Sequence, residues 1–201
     1  MRKAPADTRR DIRCAALAAF RRHGYRGTTL QEIAGEVGLT RGAVLHHFNS
    51  KADLLAAVVN PYLQVLDSVL DSADISDPPT VSQREHLLRE LAGLVLENRA
   101  TVELLTGDVA ARDQVDSTDA WSARTRRLAS LLTGSRATEA ERVRTAAALG
   151  AILHPAASAW LDLDGAEARA ALIDASLAAI GTQPEQLPDP QPVPATQKDW
   201  N

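Results

Sequence analysis

Cysteine, lysine and aromatic residues are all scarce in this chain. Of its 201 residues one is cysteine, three are lysine and 3% are aromatic. A lone thiol, Cys14, excludes an internal disulfide and a cysteine-built metal site. Set beside Ala15, Ala16 and Leu17, it is expected to be a small packing residue. Strand-like alternation is absent, which argues against a β architecture. No apolar run approaches the roughly 18 residues of a membrane span. The opening MRKAPADTRRD lacks the apolar stretch of a secretory signal, so the expected location is the cytoplasm, with no membrane partner. Missing too are a nucleophile–base pair, a glycine-rich phosphate loop and paired carboxylates on an apolar background. An enzyme is therefore not expected, and neither is a cofactor.

What the chain does have is helix-forming material and an uneven charge. Ala, Leu, Glu and Arg dominate, and 45% of residues are hydrophobic, enough for a core. Residues 1–51 carry ten Lys/Arg against four Asp/Glu, a net of +6, whereas residues 52–201 carry twelve against twenty-two, a net of −10. A basic head on an acidic body suggests that the head meets a polyanion.

The periodicity predicts helices almost throughout. The first runs from about Asp7 to His23, with Ile12, Ala16 and Phe20 on one face, and Gly24 ends it. Thr29 is placed to cap a second helix reaching Val37, with Glu32 completing a capping box, and Gly38 stops it. Thr40 caps a third, from Arg41 to about Phe48. Ser50 caps a fourth, running to Ser72, which Pro61 should kink or split. A linker at 73–80 precedes helices near 80–98, 99–107, 117–133, 138–161 and 166–180. The proline-rich stretch from Thr182 is expected to be a disordered, dispensable tail. The domains are thus 1–51, 52–181 and 182–201.

Residues 29–48 form a helix-turn-helix. Ile33, Val37, Leu39, Val44 and Phe48 point inward toward Phe20 and Leu54. Facing outward are Arg41, Gly42, Ala43, Leu45, His46 and His47, a surface of donors and small groups with no carboxylate before Asp53. Arg41, at the helix start, suits a bidentate contact to guanine O6 and N7. Gly42 and Ala43 allow close approach, and Thr29, Gln31, Thr40 and Lys51 complete the candidate DNA contacts. Thr29 and Lys51 lie near helix N-termini, where phosphate is favoured. A metal at the histidines is not expected, because adjacent helical side chains diverge by about 100°.

The run TTLQEIAGEVGLTRGAVLHHFNSKADLL resembles the DNA-binding domain of the tetracycline-repressor (TetR) family of bacterial transcriptional regulators. Phe20, Gly24, Thr28, Thr29, Ile33, Ala34, Gly38, Gly42, Phe48, Lys51 and Leu54 carry the likeness. It implies an all-α homodimer with a larger helical ligand-binding domain, binding to a pseudo-palindromic double-stranded operator, and release by a small molecule. The sequence departs from the family at Leu45 and His47, where tyrosine is common.

For the body, expectations are broader. His154 reads first as a satisfied core histidine and second as pocket lining. Tyr62, His86, Trp121 and Trp160 join it as candidate pocket residues for an apolar or amphipathic effector. The cluster RTRR (124–127) reads as an exposed helix face. Small and branched residues, Ala146, Ala147, Gly150, Leu153, Ile173, Leu177 and Ile180, suit a four-helix bundle between two subunits. Function is expected to be ligand-responsive repression, with a constitutive DNA-binding protein or an all-helical enzyme as alternatives.

Overall fold

The computed structural model describes residues 5–117, 119–158, 161, 163 and 165–181. Among these the fold is all-α: ten helices and no strand. Trp160 and the stretch from Thr182 lie outside the described residues.

Three N-terminal helices form the head: α1 (Pro5–Gly27), α2 (Leu30–Glu36) and α3 (Arg41–His47). Helices as short as α2 and α3, seven residues each, are unstable alone, and local caps hold their starts. The Glu32 N–H donates to Thr29 Oγ1 at 3.2 Å, and the Ala43 N–H donates to Thr40 Oγ1 at 3.2 Å. Each such cap stabilises by about 1 kcal/mol. The other half of the expected capping box is not formed. Glu32 instead turns its carboxylate to His23, 3.1 Å from Nε2. Gly24 breaks α1 as expected, with φ 72 and ψ 159, and one further turn follows it. Gly38, at φ 68, makes the turn between α2 and α3.

The long helix α4 (Lys51–Ser72) leaves the head and enters the body. Ser50 caps it, accepting from the Asp53 N–H at 3.0 Å. It continues through Pro61 without a break, which corrects the expected split. Its apolar face explains why: Leu54, Leu55, Val58, Val59, Tyr62, Leu63, Leu66 and Leu70 are all buried on both sides of the proline, and that burial outweighs one lost backbone bond. The same composition corrects the statement about apolar runs. By length and a mean hydropathy of 1.2 over 18 residues, α4 could cross a membrane, yet its leucines, with Val58 and Val59, are buried in the protein core.

The body adds α5 (Val81–Glu97), α6 (Arg99–Gly107), α7 (Val109–Asp116), α8 (Ala120–Thr133), α9 (Glu139–Ala156) and α10 (Ala166–Gly181). Capping boxes at Thr80–Gln83 and Thr138–Glu141 start α5 and α9. Helix α7 has no counterpart among the expected helices, and α9 ends five residues earlier than the expected 161. The segment 73–80 is anchored rather than free, since Pro79 is buried and Asp77 accepts from the Ser135 N–H at 2.9 Å. One contiguous core runs from Ile12 in the head to Leu172 in α10.

Two further expectations are corrected. Cys14 is exposed on α1, not packed. His154 is exposed, because the buried side of α9 is set by Thr145, Ala148, Leu149, Ile152 and Ala156. The RTRR cluster is largely exposed, as expected, with Thr125, Arg126 and Arg127 at the surface, and its arginines are paired there. Arg124 grips both Asp67 oxygens, at 2.7 and 2.5 Å, and Arg127 holds Asp71 and the Leu70 carbonyl. Those two arginines tie α8 to α4. Arg126 meets Asp119.

Candidate nucleic-acid interface

The two-turn helix α3 has one buried side chain, Val44, with Phe48 buried just beyond its end. Everything between them is open to a ligand. Arg41, Gly42 and His46 are exposed, and Ala43, Leu45 and His47 are half-buried. Thr29, Gln31 and Thr40 are exposed beside them. In capping, each threonine hydroxyl uses only a lone pair, so its O–H remains a donor toward a phosphate.

Arg41 forms no hydrogen bond or ion pair within the described residues. The acids that might have neutralised it are engaged elsewhere: Glu36 pairs with Arg22, and Glu32 faces His23. Both carboxylates of α2 are thereby drawn to α1, away from the face that carries Arg41. The result is a donor-rich, positive helix start of the kind that reads base edges. A Cβ on Gly42 would meet only Thr40 Oγ1, at 3.9 Å. The fold therefore does not require glycine there, whereas close approach of a duplex would.

The histidines differ in use. Their rings meet edge to face, 5.7 Å apart, and among the described residues they gather no metal-binding group of three. The His47 carbonyl accepts from Arg9 Nη1 at 2.7 Å, and the Arg9 guanidinium lies over the Phe48 ring, 4.3 Å from its centroid. Arg9 thus ties the last turn of α3 to α1, a contact between residues 38 positions apart. Nothing in the local sequence signals it.

Lys51 departs from the phosphate role expected of it. Its ammonium donates to the carbonyls of Tyr25 (2.8 Å), Thr28 (3.0 Å) and Arg26 (3.4 Å), and lies 4.6 Å from the Tyr25 ring centroid. Three donors meet three acceptors, so none is left for a phosphate. Lys51 holds the turn before α2 in place.

The candidate pocket residues do not converge on one cavity. Tyr62 and Trp121 meet across α4 and α8, ring centroids 6.4 Å apart. Burial pushes the Tyr62 phenol up to about 12. His86 is exposed on a separate groove of about 450 Å³, floored by Ile75 and Leu87 and edged by Asp74 and Glu90. His154 lies exposed at the end of α9, apart from both. A larger cleft, about 550 Å³, separates head and body and is lined by Phe20, Arg21, Arg26, Glu103, Asp108 and Val109, among others. No pocket residue was expected in it.

Comparison with known proteins agrees with this geometry. The family profile described as "Bacterial regulatory proteins, tetR family" matches residues 12–58. The regulator TtgR of Pseudomonas putida is 37% identical over 95 residues, 46% of this chain and 45% of TtgR. The repressor BepR of Brucella suis is 33% identical over 98 residues, 49% of this chain and 46% of BepR. The chain thus spans about half the length of these curated relatives. Among solved structures, SCO3833 of Streptomyces coelicolor superposes with a TM-score of 0.67 at 20% identity, covering 85% of this chain and 89% of SCO3833. AibR, solved with isovaleryl coenzyme A and operator DNA, gives 0.58 at 22% identity, covering 85% and 96%. Residues 12–58 thus match that family's profile, and across most of the described chain the fold is that of solved tetR-family structures.

Proposed function

We propose that this chain is a transcriptional repressor that binds a double-stranded operator as a homodimer and leaves it when a small effector enters the helical body. The observation that carries the reading is Arg41: exposed, unpaired among the described residues and first in a capped helix whose neighbouring acids are engaged elsewhere. Thr29, Gln31, Thr40, Gly42, Ala43, Leu45, His46 and His47 surround it as further contacts to phosphate or base edges.

The dimer rests on α9 and α10. Both are apolar or small around most of their circumference, and each buries only one side in the monomer. Left outside are Val143 at 63% exposure, Ala146 and Ala147, with Gly150, Leu153, Ile173, Leu177 and Ile180 half-buried beside them. Such a face is covered when two copies pack as a four-helix bundle. Two recognition helices are then available for major grooves about 34 Å apart. The effector is taken to be apolar or amphipathic, with Tyr62 and Trp121 as its best-placed wall. AibR holds a small molecule and an operator in one complex. We carry over that pairing and the identity of neither partner.

Footprinting on the promoter region adjoining the chain's own gene tests the proposal. The expected result is a protected pseudo-palindrome whose half-sites are one helical turn, or a multiple of it, apart. Binding that never exceeds its affinity for random duplex would overturn it.

A further inference from the structure

The turn that joins α1 to α2, residues 24–28, is held from both sides. From the head, Lys51 collects the carbonyls of Tyr25, Arg26 and Thr28. Thr28 Oγ1 adds bonds to the carbonyls of Gly24 (2.8 Å) and Ala19 (3.1 Å). From the body comes a single side chain, Asp108. Its Oδ2 accepts from the Tyr25 N–H at 2.5 Å, while its Oδ1 accepts from the Ala111 N–H at 3.0 Å and so caps α7. Its own N–H closes α6 by donating to the Leu104 carbonyl at 3.0 Å.

One residue therefore joins the end of α6, the start of α7 and the break in α1. Gly24 makes room for it: a Cβ there would lie 3.3 Å from Asp108 Oδ2, and φ is +72. Tyr25, whose N–H is held, is itself wedged between Phe20 (5.5 Å between centroids) and Lys51. Thr29, the N-cap of α2, follows the turn directly. A shift of the turn is thus passed to α2 and, through Gly38, to α3.

Taken together, the geometry points to Asp108 as a positioning residue through which the body sets the angle of the DNA-binding head. This rests on the reading of the head as an operator reader. Helix α4 carries the chain from head to body, and Asp108 adds a grip from the α6–α7 junction on the same turn that Lys51 holds. Arg21, paired with Glu103 on α6, braces the same side. The 550 Å³ cleft beside Asp108 leaves space for α6 and α7 to move against α1. Displacing the α6–α7 junction withdraws the carboxylate from Tyr25 and releases the head.

The test separates this role from plain capping. Asp108→Asn keeps an oxygen for the Ala111 N–H but turns an NH2 group toward the Tyr25 N–H. Asp108→Ser keeps a good N-cap but is too short to serve both partners. Cys14 is the chain's single cysteine, exposed on α1, so a spin label there reports the distance between the two heads of a dimer without engineering. The wild type should give one narrow distance distribution by double electron–electron resonance. Both variants should broaden it and weaken operator binding about tenfold, while far-UV circular dichroism remains unchanged. A distribution as narrow as the wild type's overturns the proposal. Absence of any dipolar signal in the wild type refutes the dimer instead. The joint is then judged by hydrogen exchange of the Tyr25 amide, which must quicken about tenfold in both variants while α9 amides hold. Equal protection there overturns it.

Discussion

Head and body are built from the same kind of helix but disclose their work differently. In the head, Thr29 and Thr40 fix the starts of two seven-residue helices, and charges are sorted pairwise between α1 and α2. What is left unpaired, Arg41 above all, stands out. The body is larger, apolar on several faces, and its ion pairs, such as Arg124–Asp67, bind one helix to another. Polar groups left over mark the surface proposed to meet DNA. A site for an apolar ligand would leave no such remainder.

The strongest challenge to this division is whether the regions are independent at all. Leu54 is fully buried where α4 passes from one to the other, within a continuous core. Leu54→Ala should lower stability by about 2–5 kcal/mol and melt head and body in one transition. Two separate calorimetric transitions would show that they unfold as independent units.

Next in size is an effect confined to the body. The folded pKa of Tyr62, at about 12, lies above its unfolded value of 10. The neutral phenol is therefore favoured in the folded state, and that contribution is complete below pH 10. It is lost as pH rises toward 12, about 3 kcal/mol in full. Urea titrations at pH 9 and 11.5 should show the wild type losing more stability than Tyr62→Phe, since the alkaline loss from Tyr25, whose pKa burial also raises, is common to both. Identical losses would place the phenol in water.

Within the head, Arg41 and Lys51 should separate cleanly. Arg41→Ala is expected to cost about 1–3 kcal/mol at the operator, relax base preference at one position per half-site and leave the melting temperature alone. Lys51→Ala should do the reverse, costing about 1.5–3 kcal/mol of stability with the salt dependence of DNA binding unchanged. A flattened salt slope in Lys51→Ala would restore its phosphate role. Smallest is Gly42→Ala, where a methyl group meets nothing closer than 3.9 Å. It should stabilise the free protein by about 0.5–1 kcal/mol and still weaken operator binding. Unweakened binding would mean that DNA does not come close at this residue.

The same contrast explains what was legible in the sequence. Caps act over three residues, so the starts of α2, α3 and α4 could be read locally. The partners of Lys51 lie 23 to 26 residues away and those of Arg9 lie 38 away, distances at which no local pattern speaks. Helix α7 was missed because it buries only Ala111 and follows Gly107 and Asp108, which read together as a break. In α9, apolar residues lie all around the helix, so its sequence does not say which side is inward, and His154 fell on the outer one. Tyr62, beside Pro61, and Trp121 lie 59 positions apart in the sequence, and only the packing of α8 on α4 brings them together.

Arg9 has a consequence for the thermodynamics of binding. With Thr40 fixing the first turn of α3 and Arg9 fixing the last, the reading helix is already ordered before DNA arrives. Association then carries no folding step for this helix, and calorimetry should find a heat-capacity change matching the surface buried at the interface, without the larger decrement of coupled folding.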